Sequence, residues 1–335
     1  MKRSIQHPRQ PVAQNQASEA QNPGGAQFRE DLQSRIMTTN QPAPIVCGFD
    51  FSNTGRDAAE VAAMMANQLN TSLKLVFVRD SDPTGLPPEA VTSADEYYLE
   101  RLTEEVRQLG KTGATIEAIM RHGTAADTLI RIVKEEQARM LIVGWHGVNT
   151  RWRIGKEAER AAEHCPGPTL VIQNPEPLKS WLNQDRPLKI LVGIDFSACS
   201  EAALLVAALY DIGPCEISAT YLDRPSEELR RMGFTDSYPN VQGMVEEDLQ
   251  EKISGILGSR DIKITTLGTW ASKPNELIAQ AVREKADLIV IGSHQWHGTD
   301  RAFHTSVSHA VLHHSPTNVA CAPRLTLPSK SDHSA

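Results

Sequence analysis

Gly48-Phe49-Asp50-Phe51-Ser52 returns later in the chain as Gly193-Ile194-Asp195-Phe196-Ser197. Each copy closes an apolar, β-branched run, Ile45-Val46-Cys47 in the first and Ile190-Leu191-Val192 in the second. Two more landmarks repeat downstream. Met140-Leu141-Ile142-Val143-Gly144 matches Leu288-Ile289-Val290-Ile291-Gly292, and His164-Cys165-Pro166 matches His314-Ser315-Pro316. Asp50 and Asp195 are 145 residues apart, Gly144 and Gly292 are 148, and Pro166 and Pro316 are 150. A nearly constant shift over three separated landmarks means a duplicated domain. A repeat longer than about 50 residues is a tandem globular domain, not a solenoid unit.

The 335 residues give each copy enough chain for its own core. Outside the copies, residues 1–42 are rich in Gln, Asn, Pro and Ala and are expected to be disordered, because they offer little apolar surface to bury. Met37, just before the first strand, reads as an alternative start. The polar tail 324–335 is also expected to be disordered. Residues 43–172 form the first domain, 173–186 a linker with Pro175, Pro177 and Asn183, and 187–323 the second domain.

Within the first copy, strand and helix signals alternate. Ser52 is placed to cap a helix rich in alanine, and Leu73–Val78 reads as the second strand. A helix at 94–109, a strand at 115–120 and a helix at 124–136 follow. The apolar run Met140–Val143, a helix at 156–164 and a strand at 169–172 close the unit. The second copy repeats the order. Such alternation predicts an α/β fold: two tandem doubly wound parallel-sheet domains.

Composition excludes several classes. The net charge is −7, while residues 1–42 carry five basic and three acidic groups, leaving −9 on the remainder. An acidic body without a basic stripe is a poor partner for nucleic acid. No apolar stretch approaches the roughly 20 residues of a membrane helix, so no membrane partner is expected. Five cysteines without paired or metal-like spacing suit a reducing cytoplasm. His309 and His313, four apart, are the nearest approach to a metal pair, but no third ligand lies at a recognisable spacing. Neither a P-loop nor a Gly-x-Gly-x2-Gly fingerprint occurs, and no base stands near Cys199 or Ser200.

Ligands of open α/β sheets bind outside the carboxyl ends of the strands. Asp50 and Asp195 stand at such an end, as do Gly144 and Gly292. An aspartate there can accept hydrogen bonds from a ribose or a base. A glycine lets backbone amides approach phosphates, with the next helix offering its positive N-terminus.

The Gly-x-Asp-Phe-Ser opening, the strand ending in Gly144 or Gly292, and the closing helix, His-x-Pro and strand resemble the universal stress protein family over residues 43–323. The resemblance implies adenine-nucleotide-binding folds paired through their last strands, here Thr169–Ile172 and Asn318–Ala322, as an intramolecular pseudo-dimer, with a homodimer as a further assembly. It also implies ATP or AMP as ligand, with Mg²⁺ accompanying ATP and no other metal. Nucleotide-binding members carry Gly-x2-Gly-x9-Gly-Ser/Thr after the fourth strand. Neither copy keeps that motif intact. The first reads Gly144-x2-Gly147, seven residues, then Gly155-Lys156, in a loop made basic by Arg151, Arg153 and Lys156. Another register keeps nine residues and puts Glu157-Ala158 at the phosphate, where an acid would repel it. The basic groups read equally well as a solvated loop. The second copy reads Gly292-x2-Gln295, nine residues, Thr305-Ser306, which keeps the hydroxyl and loses two glycines. The alternative there makes Gly298 the second glycine. Gly48, Val78 and Leu222, at neighbouring strand ends, complete the contact set the resemblance implies. The expected function is a nucleotide-responsive stress or signalling module, mainly through the first copy, without robust catalysis. A slow ATPase or phosphotransferase, and an interaction protein with decayed sites, are the rivals.

Overall fold

The computed structural model describes residues 43–79, 88–146, 154–223, 239–258, 262–268, 272–293 and 307–323. The expectations about 1–42 and 324–335 therefore lie outside the described residues. The first half runs β1 (Ile45–Phe49), α1 (Asn53–Gln68), β2 (Ser72–Arg79), α2 (Pro88–Leu109), β3 (Thr115–His122), α3 (Ala125–Glu135), β4 (Met140–Gly144), α4 (Lys156–His164) and β5 (Thr169–Ile172). A short helix, α5 (Glu176–Leu182), leads to the second half. This runs β6 (Leu188–Ile194), α6 (Ala198–Ala208), β7 (Cys215–Asp223), α7 (Pro239–Leu257), β8 (Lys263–Gly268), α8 (Lys273–Glu284), β9 (Leu288–Gly292), α9 (Val307–His314) and β10 (Asn318–Ala322).

All ten strands join one sheet, in the order β3-β2-β1-β4-β5-β10-β9-β6-β7-β8. Pairing is parallel inside each half. At the centre, β5 and β10 run antiparallel, with Val171 opposite Val319 and Leu170 opposite Ala320. The chain direction across each half-sheet reverses between β1 and β4, and again between β6 and β9, opening one crevice per half.

Parallel strands covered on both faces need apolar side chains at successive positions. In β1, Ile45, Cys47 and Phe49 point into one core and Val46 into the other. Both cores run without a break through the two halves. The first joins Leu75 and Ala59 to Leu188 and Leu204, and the second joins Val171 and Ala161 to Val319 and Val311. The small residues Ala58, Ala59, Ala62, Ala63 and Ala66 let α1 lie close on the sheet. Ser52 and Ser197 cap α1 and α6, accepting from the Gly55 and Ser200 amides.

Residues 173–186, read as a linker, hold α5. Leu178, Trp181 and Leu182 are buried there, and Lys179 Nζ reaches Glu60 of α1 at 2.6 Å. Proline at the start of the stretch suggested irregular chain, but proline is at home in the first turn of a helix. The helix Pro88–Leu109 also begins six residues before the expected 94.

Asn318, wholly buried, ties the two halves together at the end of the seam. Its Oδ1 accepts from the Gln173 and Asn174 amides at 2.9 and 3.0 Å, and its Nδ2 donates to the Asn174 and Asp287 carbonyls at 2.8 and 3.1 Å. Asn318→Ala removes the partner of the Gln173 and Asn174 amides and of the Asn174 carbonyl, while the Asp287 carbonyl keeps Thr317 Oγ1 at 2.7 Å, and is expected to lower unfolding free energy by about 1–3 kcal/mol. Urea unfolding checks this, and a change below about 0.5 kcal/mol would remove Asn318 from the account of the seam.

Candidate functional site

A cavity of about 500 Å³ opens at the carboxyl ends of β1 and β4, at the reversal point of the first half-sheet. Gly48, Asp50, Val78, Gly144, Gly155 and Lys156, all singled out in the sequence, line it together. Gly147 lies outside the described residues, as do Arg151 and Arg153. The apolar wall is built by Val76, Val78, Leu129 and Val143.

The rim is polar. Asp50 Oδ1 accepts from the Ser52 amide at 3.0 Å and so shapes the turn into α1. Phe51, between them, has φ 61°, a left-handed conformation that a bulky residue adopts only when its surroundings hold it. Phe49, Phe77 and Tyr98 surround its ring, and the Arg101 guanidinium lies 4.3 Å over its face. Gly155 caps α4 without a side-chain bond, and its amide donates to the Trp145 carbonyl at 2.8 Å. The first turn of α4 therefore presents amides and Lys156 beside the cavity, an arrangement suited to an anion.

Two wall residues, Gly55 and His146, went unread in the sequence, and a third, Glu157, entered only through the alternative register. Gly55 sits where a Cβ would come 2.5 Å from Asp50 Oδ1, so its bare backbone makes room for that carboxylate. His146 lines the cavity with its Nδ1 shielded from solvent and unpartnered, and its carbonyl accepts a hydrogen bond from Thr54 Oγ1. The recurrence of Trp145-His146-Gly147 as Trp296-His297-Gly298 was the available signal. Glu157 also lines the cavity, and its Oε2 accepts from the Ala126 amide at 2.7 Å. The positive end of α3 is thus met by a carboxylate of the chain itself.

The second half places Asp195, Leu222 and Gly292 together around a much smaller cavity of about 80 Å³. Ser306 lies outside the described residues. Larger side chains narrow the crevice. With the repeat shifts, Lys273 takes the place of Ala125, Ile291 that of Val143 and Ser200 that of Gly55, and by the register of the second strand on the first Leu222 takes that of Val78.

The three buried thiols among the described residues, Cys47, Cys165 and Cys321, are poor nucleophiles. Burial pushes the Cys47 and Cys165 thiols up, and Cys321 up to about 12.

The profile of the Universal stress protein family matches residues 43–173 and again 188–323. The chain belongs to the universal stress protein family. Among its relatives, universal stress protein Rv2005c of Mycobacterium tuberculosis (strain H37Rv) is 24% identical over 283 residues, covering 80% of this chain and 93% of that protein. Universal stress protein MJ0531 of Methanocaldococcus jannaschii is 26% identical over 140 residues, covering 39% of this chain and 82% of that one. In structure, a universal stress protein from Archaeoglobus fulgidus aligns with TM-score 0.66 at 16% identity, over 84% of this chain and 98% of its own. One from Pseudomonas aeruginosa UCBPP-PA14 aligns with TM-score 0.56 at 14% identity, over 84% and 93%. These likenesses show the tandem fold.

In this universal stress protein, the glycines ending β4 and β9 have a packing role. A Cβ on Gly144 would come 2.7 Å from the Thr54 carbonyl oxygen, and one on Gly292 would come 2.4 Å from that of Cys199. Both contacts are with rigid backbone in the first turn of a helix. Gly144→Ala and Gly292→Ala are each expected to destabilise the chain by about 1–3 kcal/mol in the absence of any ligand. Thermal unfolding of the two variants checks this. Wild-type stability in Gly144→Ala would assign that glycine to ligand approach alone.

Proposed function

We propose that this universal stress protein is a stress-response or signalling module that binds one adenine nucleotide, ATP or AMP, in the crevice of its first half, without robust catalysis. The observation that carries the reading is the contrast between the two crevices, about 500 Å³ against about 80 Å³. Small-molecule sites of about 300–1,000 Å³, apolar with a few convergent polar groups, are the usual pattern. The valine and leucine wall suits a base, and Asp50 suits its amino group or the ribose. The first turn of α4 with Lys156 suits phosphates, and Mg²⁺ would accompany ATP. Among the described residues of this crevice, nothing is arranged as a nucleophile with an adjacent base, which supports binding over turnover.

One feature pulls the other way. Glu157 puts a negative charge on the wall, and it favours the second reading, an interaction protein whose sites no longer take nucleotide.

Calorimetric titration of the full chain with ATP and AMP separates these readings. One nucleotide per chain is expected. Lys156→Glu should weaken ATP binding about tenfold at low salt and less at high salt. Glu157→Gln should tighten it, because a like charge is removed, and Lys273→Glu in the second crevice should leave it unchanged. If Lys273→Glu abolishes binding while Lys156→Glu does not, the wrong half has been chosen. No heat with either nucleotide at millimolar concentration would sink the nucleotide reading.

A further inference from the structure

At the seam, α4 of the first half meets α9 of the second, and two carboxylates face two imidazoles. Glu159 and Glu163 lie one turn apart on α4, as His309 and His313 do on α9. The 150-residue shift of the nearby His-x-Pro landmark carries Glu159 onto His309 and Glu163 onto His313. Corresponding positions of the two copies therefore oppose each other across the pseudo-twofold, with acids on one side and histidines on the other.

The geometry is close. Glu159 Oε1 lies 2.8 Å from His309 Nδ1 and 3.0 Å from His313 Nε2. Glu163 Oε1 lies 3.6 Å from His309 Nδ1. The two rings are 4.3 Å apart, and the three nearest ligand atoms all fall within 4.8 Å of one another. His313 Nε2 is shielded from solvent and, despite its nearness to Glu159, is off the line a ring N–H bond requires. A buried nitrogen facing a carboxylate oxygen without a directed bond is costly, and a cation between them would satisfy both.

We propose that Glu159, His309 and His313 form a site for one divalent transition-metal ion of the zinc class, clamping the two halves at the seam. Imidazole with carboxylate is a donor set zinc accepts, with bonds of about 2.0–2.2 Å that put tetrahedral ligand atoms about 3.3 Å apart. Glu159 already stands 2.8 and 3.0 Å from the two imidazole nitrogens, and the three ligand atoms lie within 4.8 Å of one another. Water or Glu163 supplies the fourth position. The His-x3-His spacing was visible in the sequence, whereas the acid was not, because it arrives from the other copy. This inference stands apart from the nucleotide reading: the three residues are not among those lining either crevice.

The test uses the full chain, freed of metal by chelator and dialysed, then titrated with Zn²⁺ and, for its visible absorption, Co²⁺. One ion per chain is expected, with a rise in Tm on loading. Glu159→Gln and His313→Gln should each weaken Zn²⁺ binding by at least about tenfold, the scale seen even for groups one shell removed from a metal. His313→Gln keeps a hydrogen-bonding side chain beside Glu159, and its Tm without metal verifies that it folds. The double variant His309→Ala/His313→Ala should lose the stoichiometric ion. Failure of the wild-type chain to take up one ion would overturn the proposal and leave a Glu–His ion pair. Stoichiometric binding that survives the double variant with unchanged affinity would overturn it as well, assigning the ion to other residues.

Discussion

The antiparallel pairing of β5 with β10 is the constraint on which the rest of the molecule depends. Each half ends in an apolar strand whose outer edge, left alone, would present unpaired backbone groups flanked by buried side chains. Joining the two edges turns a pair of five-stranded sheets into one of ten and makes both cores continuous across the join. Asn318 reinforces the pairing with four hydrogen bonds to backbone groups, and Trp145 adds another. Its indole Nε1 donates to the Leu312 carbonyl of α9 at 3.1 Å. The residue next to the first crevice is thus anchored in the second half.

Joining two copies of one fold would give twofold symmetry if their side chains agreed, and two of the places where they differ set the chemistry of the crevices and the seam. In the crevices, Ala125 and Gly55 leave space that Lys273 and Ser200 fill. On the helices flanking the seam, Glu159 and Glu163 stand where the other copy has His309 and His313. Among the described residues, the first difference leaves the first crevice roomier than the second. The second difference gives the seam opposite chemical character on its two sides. Both arise from a handful of side chains on an otherwise repeated backbone.

Much of the fold was legible because it rests on local signals. The repeated Gly-x-Asp-Phe-Ser marked both strand ends, Ser52 marked the first helix start, and the apolar runs marked buried parallel strands; the matching helix of the second copy, expected from Ser200, begins at Ala198 behind Ser197. What escaped was set by contacts distant in sequence. The strand order depends on which edges meet. The helix α5 is held by burial of Trp181, a signal masked by flanking prolines. Asp50 could be named from a strand end, and Gly155 and Lys156 from the resemblance to the family's loop motif, but the bond from Glu157 to the start of α3 spans 31 residues. The glycines Gly144 and Gly292 were read for phosphate approach, and the structure adds a packing reason for each, since helix backbone lies where a side chain would go. The partner of the two histidines sits 150 residues from His309, beyond any motif spacing.

Of the two crevices that duplication placed in one sheet, the first is the one proposed to hold nucleotide. A crystal structure of the full chain grown with AMP tests it most directly. Nucleotide density is expected at the carboxyl ends of β1 and β4, with phosphate at the first turn of α4, and none beyond β6 and β9. Nucleotide in the second crevice alone, or equally in both, would contradict it.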